Sequence, residues 1–303
     1  MSAITVSIFM LTYNQEQFIA QAIGSILNQD TNFNYQLVIG EDCSEDNTRA
    51  ICEEYAVQFP KKIKLLPDLG KNIGLIQNYL RTIKACDGDY IAICDGDDYW
   101  IDSNKLQKQV DYLRANPTCF ILGTKYKRLY NNGEFELVEK QLSKSTYTFD
   151  DLIFENIVAS VTVMFRNIQN QESIPEWINK FPYGDWPTYL WTIKDKGTVE
   201  FLDDVTAVYR TDIGVSAKIR KQHSKTAKVN LEIVKSIASD TSFSDKTTII
   251  KQSILMHKKG VLACFNREKQ YIKAFRVFVG MLWSSPKPLD LIKYYMYSLK
   301  QSF

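Results

Sequence analysis

The 303-residue chain suits one large α/β domain with an extension, or two small domains, and its 45% apolar content allows a sizeable core. The net charge of +2 hides an asymmetry: residues 1–215 carry 20 Lys/Arg against 30 Asp/Glu, a net of −10, whereas residues 216–303 carry 17 against 5, a net of +12. The six cysteines show no C-x-x-C spacing and read as reduced, buried thiols of a cytosolic protein, and no run of 18 uncharged apolar residues exists to form a transmembrane helix.

Along the chain, residues 4–11 are a short β-branched run that predicts a buried strand, too short for a membrane span and without a basic leader. Asn14 is expected to cap the next helix with Gln17 as its capping-box partner, and Phe18, Ala22, Ile26 and Leu27 recur at helical spacing. Residues 35–39 predict a second strand, 46–59 a helix stopped by Pro60, 62–66 a third strand, and 74–86 a helix closed by the turn pair Asp87-Gly88. Residues 90–94 predict a fourth strand and 105–116 a helix stopped by Pro117. This alternation implies a parallel sheet covered on both faces. After Pro117 the pattern becomes mixed. Residues 119–130 and 134–139 predict a hairpin around Asn131-Asn132-Gly133, residues 149–156 a helix, 161–166 a strand, 186–194 a helix and 198–209 an extended run. From 216 on, the pattern is helical and basic.

Asp95-Gly96-Asp97-Asp98 follows the fourth strand directly, and open parallel sheets bind ligands at the carboxyl ends of their strands. Three carboxylates in four residues repel one another unless a cation sits among them, and oxygen ligands of this kind suit Mg²⁺ or Mn²⁺. The alternative is a solvated acidic turn that caps a helix. A second acidic run, residues 41–48, follows the second strand. Part of it caps the next helix, and a carboxylate there is also placed to accept a nucleobase N–H, with Tyr13 available to stack on the base.

These residues resemble the family 2 glycosyltransferases, which have the GT-A fold. The match runs through V-S-I-F-M-L-T-Y-N at 6–14, E-D-C-S-E-D-N-T at 41–48, N-I-G-L-I-Q-N at 72–78, D-G-D-D-Y-W at 95–100, Y-G-D-W at 183–186 and V-Y-R at 208–210, within residues 4–215. The resemblance implies a GT-A catalytic domain over 1–215, with a Rossmann-like nucleotide-binding half (1–116) on a mixed central sheet and an acceptor half (117–215), followed by a helical extension over 216–303. It implies that Tyr13 and Asp42, with the backbone near Leu11 and Thr12, hold the donor's base. Asn72, Gly74 and Asn78 would pass under the nucleotide, with a loop and helix start as the structural alternative. Asp95 would lie near the ribose beside Gly96, Asp97 would bind a divalent cation (Mn²⁺ or Mg²⁺), and Asp98 would support the loop or the acceptor. Asp185 matches the general base of the inverting members, which takes the acceptor hydroxyl's proton; its structural alternative is a cap on the helix starting at Trp186-Pro187. Arg210 would reach phosphate or hold the loop. Asp212 stands where the family often has a His, and Glu41 where it often has Asp.

The expected function is therefore transfer of a sugar from a nucleotide-diphosphate sugar, a UDP-sugar on the family pattern, to a saccharide or lipid-linked saccharide acceptor. Surface polysaccharide or lipid-linked glycan synthesis is the setting the family implies. The basic extension, with Tyr271, Phe275, Phe278, Trp283, Tyr294 and Tyr295 among its lysines, reads either as helices packed on the catalytic domain or as a peripheral contact with the anionic inner membrane of the cytoplasm. An acidic N-terminal half argues against nucleic acid as a partner. A sugar nucleotidyltransferase or a dinucleotide-dependent dehydrogenase would want glycines after the first strand, where Leu11-Thr12-Tyr13-Asn14 has none. A degenerate, non-enzymatic adaptor is the remaining alternative.

Overall fold

The computed structural model describes residues 4–139, 143–211, 213, 222–282 and 287–302. Chain contacts divide it into two compact units, Met1–Leu152 with Asn156–Gly214, and Ile153–Glu155 with Val215–Phe303.

The first unit is built on one mixed sheet. β1 (Val6–Thr12), buried along its whole length, pairs in parallel with β2 (Tyr35–Glu41) on one side and β4 (Tyr90–Ile93) on the other, and β3 (Ile63–Leu65) adds to β2. Between them run α1 (Ile19–Leu27), α2 (Thr48–Gln58) and α3 (Leu75–Lys84). After β4 come β5 (Tyr99–Trp100), α4 (Lys105–Ala115) and β6 (Cys119–Leu129), then β7 (Phe135–Val138), β8 (Thr146–Tyr147), β9 (Met164–Arg166) and β10 (Thr198–Arg210). The strand order is β3-β2-β1-β4-β9-β6-β10-β5, with β7 on β6 and β8 on β10. β9 runs antiparallel to both β4 and β6, so the sheet changes from parallel to mixed where the sequence pattern changes, after Pro117. The apolar face formed by Val6, Ile8, Met10, Leu37, Ile39 and Ala92 packs against Ile19, Ile23 and Ile26 of α1 and Leu106, Val110 and Leu113 of α4.

Several expectations need correction. Asn14 caps no helix: it adopts φ 52°, its N–H donates to Ser44 Oγ at 3.0 Å, and its Oδ1 accepts from the Glu45 N–H at 2.8 Å. It is a strap between the loops that follow β1 and β2, a role open to Asn because it tolerates left-handed backbone. The helix expected over 149–156 is a single turn, α5 (Phe149–Leu152). Residues 161–166 begin as a 3-10 turn (Ser160–Thr162) before β9. The two-residue strands β5 and β8 carry no period long enough to read in the sequence. All six cysteines are free, with Cys43 and Cys264 half-buried rather than buried.

The second unit is helical: α7 (His223–Ser239), α8 (Thr247–Arg267), α9 (Tyr271–Leu282) and α10 (Pro288–Lys300). Leu231, Val261, Leu262, Phe265, Ala274, Phe278, Met281 and Leu291 form its own core. Residues 153–155 join this unit through Ser253, whose hydroxyl donates to the Ile153 carbonyl at 2.7 Å. Among the described residues no helix is long and apolar enough to cross a membrane. Asp212, Lys218, Arg220, Lys221 and Trp283 lie outside the described residues.

Candidate active site

β1, β2 and β4 are parallel neighbours, so their carboxyl ends open at one edge of the sheet. There the Asp95-to-Asp98 turn is stitched to the end of β1. The Gly96 N–H donates to the Leu11 carbonyl at 2.9 Å, the Leu11 N–H to Asp95 Oδ1 at 3.3 Å, and the Asp98 N–H to the Asp95 carbonyl at 3.0 Å. A Cβ on Gly96 would lie 2.5 Å from Gln15 Oε1 and 2.7 Å from Thr12 Oγ1, so only glycine lets the turn approach β1 this closely. Thr12 is 3% exposed and Gln15 9%, and among the described residues neither Thr12 Oγ1 nor Gln15 Oε1 has a hydrogen-bond partner. Buried oxygens without donors are costly, and they stand here beside the acidic turn.

Asp98 is 1% exposed and accepts at Oδ1 from the Arg210 N–H at 2.9 Å. Arg210, the last residue of β10, donates from Nη1 to the Asp97 carbonyl and from Nη2 to Gln21 Oε1. Its guanidinium lies 4.7 Å from the Phe18 ring centroid and 4.8 Å from that of Tyr99. Arg210 and Asp98 together hold the acidic turn against β10 and α1.

At the end of β2, Asp42 accepts from the Ile73 N–H (2.9 Å) and the Gly74 N–H (3.0 Å), one bond on each carboxylate oxygen. Asn72 returns the contact, donating from Nδ2 to the Asp42 carbonyl at 3.0 Å, and Gly74 sits at φ 84° ahead of α3. Asp42, Asn72 and Gly74 are thus brought together, with Asp42 anchoring the 72–74 loop. Asn78 is 2% exposed. Its Nδ2 donates to the Gly40 carbonyl at 2.6 Å and its Oδ1 accepts from Arg81 at 2.7 Å, so it underpins β2. Glu41 is buried as well, accepting from the Ser44 N–H at 2.6 Å with Arg49 at 3.6 Å. Tyr13 is half-buried beyond the end of β1.

Asp185 opens α6 (Asp185–Thr192) from within its first turn; Gly184 occupies the N-cap and makes no side-chain cap bond. The expected cap on a helix starting at Trp186 is therefore replaced by a carboxylate at the positive end of the helix. Gly184 is demanded by Tyr79, whose ring a Cβ would meet at 2.5 Å. Tyr79 is wedged between Phe9 (ring centroids 5.0 Å apart) and Thr188, to which its hydroxyl donates at 3.0 Å. Asn156 donates from Nδ2 to Asp185 Oδ2 at 3.1 Å.

The electrostatics follow from burial and crowding. Burial, then the charge on Asp97, push Asp95 up to about 7 against the bond from the Leu11 N–H, and the charge on Asp185 adds to the rise. Burial and Asp97 raise Asp98 well above the carboxylate range, opposed by the Arg210 N–H. A divalent cation would reverse this pressure, and the residues fit one: hard oxygen donors, concentrated negative charge and two buried oxygens lacking donors. Among the described residues, no three His, Cys, Asp or Glu side chains converge into a closed cage.

Gln15, Phe18, Gln21, Tyr79 and Asn156 belong to this site and were not singled out from the sequence. Phe18 and Gln21 stand three apart at the start of α1, a spacing that places them on one face, but nothing in the sequence says that Arg210 lies over it.

The parallel-then-mixed sheet with an acidic turn after β4 is the GT-A architecture. A crystal structure of S. aureus TarS residues 1–349 in complex with UDP-GlcNAc superposes with a TM-score of 0.66 at 17% identity, over 99% of this chain and 90% of that one. The chain belongs to glycosyl transferase family 2, whose family model matches residues 7–172. It is 33% identical over 231 residues to the dTDP-rhamnosyl transferase RfbG of Shigella flexneri, covering 70% of this chain and 77% of RfbG. It is also 33% identical over 188 residues to the UDP-Glc:alpha-D-GlcNAc-diphosphoundecaprenol beta-1,3-glucosyltransferase WfgD of Escherichia coli, covering 61% of this chain and 68% of WfgD. A Mycobacterium tuberculosis protein is 32% identical over 206 residues, or 67% of this chain, which spans 58% of that relative's length.

Proposed function

We propose that the protein is an inverting glycosyltransferase that moves a sugar from a nucleotide-diphosphate sugar, UDP-linked in our reading, to a hydroxyl of a saccharide or lipid-linked saccharide. In this reading residues 1–215 are the catalytic domain and 216–303 an extension. The observation that carries it is geometric: Gly184, next to Asp185, packs on the Tyr79 ring, which lies 5.0 Å from that of Phe9 in β1, the strand to which the acidic turn is stitched. In this reading donor and proton acceptor share one site.

Tyr13, the backbone of Leu11 and Thr12, and the Asp42–Asn72–Gly74 loop hold the base. Asp95 and Gly96 line the ribose side, and Arg210 keeps the turn closed. Asp97 holds a divalent cation, which when bound offsets the charge of the diphosphate. Asp185 takes the proton of the acceptor hydroxyl. The oxygen forms its bond to the anomeric carbon as the bond from that carbon to the diphosphate breaks, and the nucleoside diphosphate departs. Asp98 keeps the turn in place. The WfgD activity, a UDP-sugar donor with a lipid-diphosphate acceptor and a β product, supports this chemistry, and the dTDP donor in RfbG's name supports a pyrimidine nucleotide.

A lipid-linked acceptor calls for membrane proximity on the cytoplasmic face. In the helical unit Ile272, Phe275, Leu289, Ile292, Met296 and Tyr297 are exposed on α9 and α10, whose sequences also carry Lys273, Arg276 and Lys293. Apolar rings with basic neighbours suit an anionic bilayer surface. Release of nucleoside diphosphate from a panel of UDP-, dTDP-, GDP- and CDP-sugars, with and without Mn²⁺, tests the reading. Metal-dependent release from a pyrimidine nucleotide sugar is expected, and silence across the panel would favour the adaptor.

A further inference from the structure

Asn156 lines a cavity of about 310 Å³ whose walls also include Tyr126 and Arg128 of β6, Thr162 and Phe201. Its volume is at the low end for small-molecule sites. β6 places Tyr126 and Lys127 opposite Ala207 and Val208 of β10, which in turn pair with Trp100 and Tyr99, so this wall lies two strands from β5, which directly follows the acidic turn. Among these lining residues, Asn156 donates from Nδ2 to Asp185 Oδ2 at 3.1 Å. Its orientation is fixed from the other end: Asn156 Oδ1 accepts the Val158 N–H at 3.1 Å, so the amide must turn its Nδ2 toward Asp185. The amide thus bridges the 156–158 loop and Asp185 Oδ2, and it carries no charge of its own.

We propose that Asn156 is a positioning residue of the transfer reaction, holding the Asp185 carboxylate at the wall of the cavity that receives the acceptor. This rests on Asp185 being the base. A neutral donor suits the task because it orients the carboxylate and favours its ionised form without neutralising it, leaving a group able to take a proton. A shift of the carboxylate by one side-chain rotamer would move it out of line with the acceptor hydroxyl, and misplacement of that size costs on the order of 100-fold in rate.

The test reads Asp185 itself. The charged and titratable groups that sense it are Asp95, Tyr79, Tyr183 and Tyr189, and all remain in the variants. The 303-residue chain labelled at the aspartate carboxyl carbon is titrated by NMR, with the Asp185 signal assigned by its loss in Asp185→Asn. Asn156→Ala should move the Asp185 midpoint upward. The near-isosteric Asn156→Asp, which swaps the donor for a like charge, should move it further. A purely structural Asn156 would change thermal stability and leave the midpoint in place, and an unmoved midpoint in both variants overturns the proposal. Should Ala unfold the loop, Asp keeps the shape and still reads the lost donor. Failure of the base reading looks different: Asp185→Asn would then keep releasing UDP from UDP-glucose, whatever the titration shows.

Discussion

The Arg210 N–H donates to Oδ1 of Asp98 at 2.9 Å, tying the last residue of β10 to the last carboxylate of the acidic turn. Asp98 is buried and its carboxyl is pushed up by desolvation and by Asp97, so its charge is a burden while its oxygen is needed. Asp98→Asn keeps an oxygen for the Arg210 N–H and removes the charge; its stability in urea should match or exceed the parent near neutral pH. Asp98→Ala leaves a buried N–H without an acceptor and should lose about 1–3 kcal/mol. Equal losses in both variants would contradict this division of roles.

Lys105 offers a pH signature outside the site. It is 0% exposed, with Nζ 2.6 Å from Gln109 Oε1 and 4.4 Å from the Trp100 ring centroid, and burial lowers its pKa to about 7. Between pH 7 and the unfolded lysine value the unfolded chain binds the extra proton, so this group makes stability rise with pH across that window; below it the penalty is complete. Lys105→Met should therefore flatten the slope of unfolding free energy from pH 7 to 10 and stabilise the protein at pH 7, by an amount on the order of a few kcal/mol. Parallel slopes in the two proteins would refute the assignment.

Gly96→Ala places a methyl against Thr12, the last residue of β1, and Gln15 in the loop beyond it. The turn must yield, at about 1–3 kcal/mol of stability for a crowded core position. Nucleotide affinity, measured by calorimetry in Mn²⁺, should fall more than it does for Gly24→Ala, where a Cβ meets nothing within 4 Å.

For the helical unit, flotation of the full chain with vesicles of phosphatidylcholine and phosphatidylglycerol should weaken in the double variant Ile272→Ser, Phe275→Ser and with rising salt. Binding indifferent to both would remove the membrane from the account.

The parallel half was legible because its strands are largely buried and read as mostly apolar runs between helical periods, as Val6–Thr12 and Tyr35–Glu41 show. The acidic turn was legible as a local motif. What escaped was contact between distant segments. Asn14 looked like a cap because its neighbours fit one, yet it straps two loops 31 residues apart. Asn78 sits in a motif beside Asn72 and Gly74, but one turn into α3 its side chain points under β2. Asn156 lies in no motif, and its partner is 29 residues downstream.

The central claim is that Asp97 holds the cation for the donor while Asp185 takes the acceptor's proton. Thermal-shift titration with UDP, dTDP, GDP and CDP in Mn²⁺, run beside nucleotide release for Asp97→Asn and Asp185→Asn, separates the two roles. The account predicts that Asp97→Asn loses the metal-dependent shift, whereas Asp185→Asn keeps the shift and stops turnover. A full shift in Asp97→Asn, or undiminished turnover in Asp185→Asn, would contradict it.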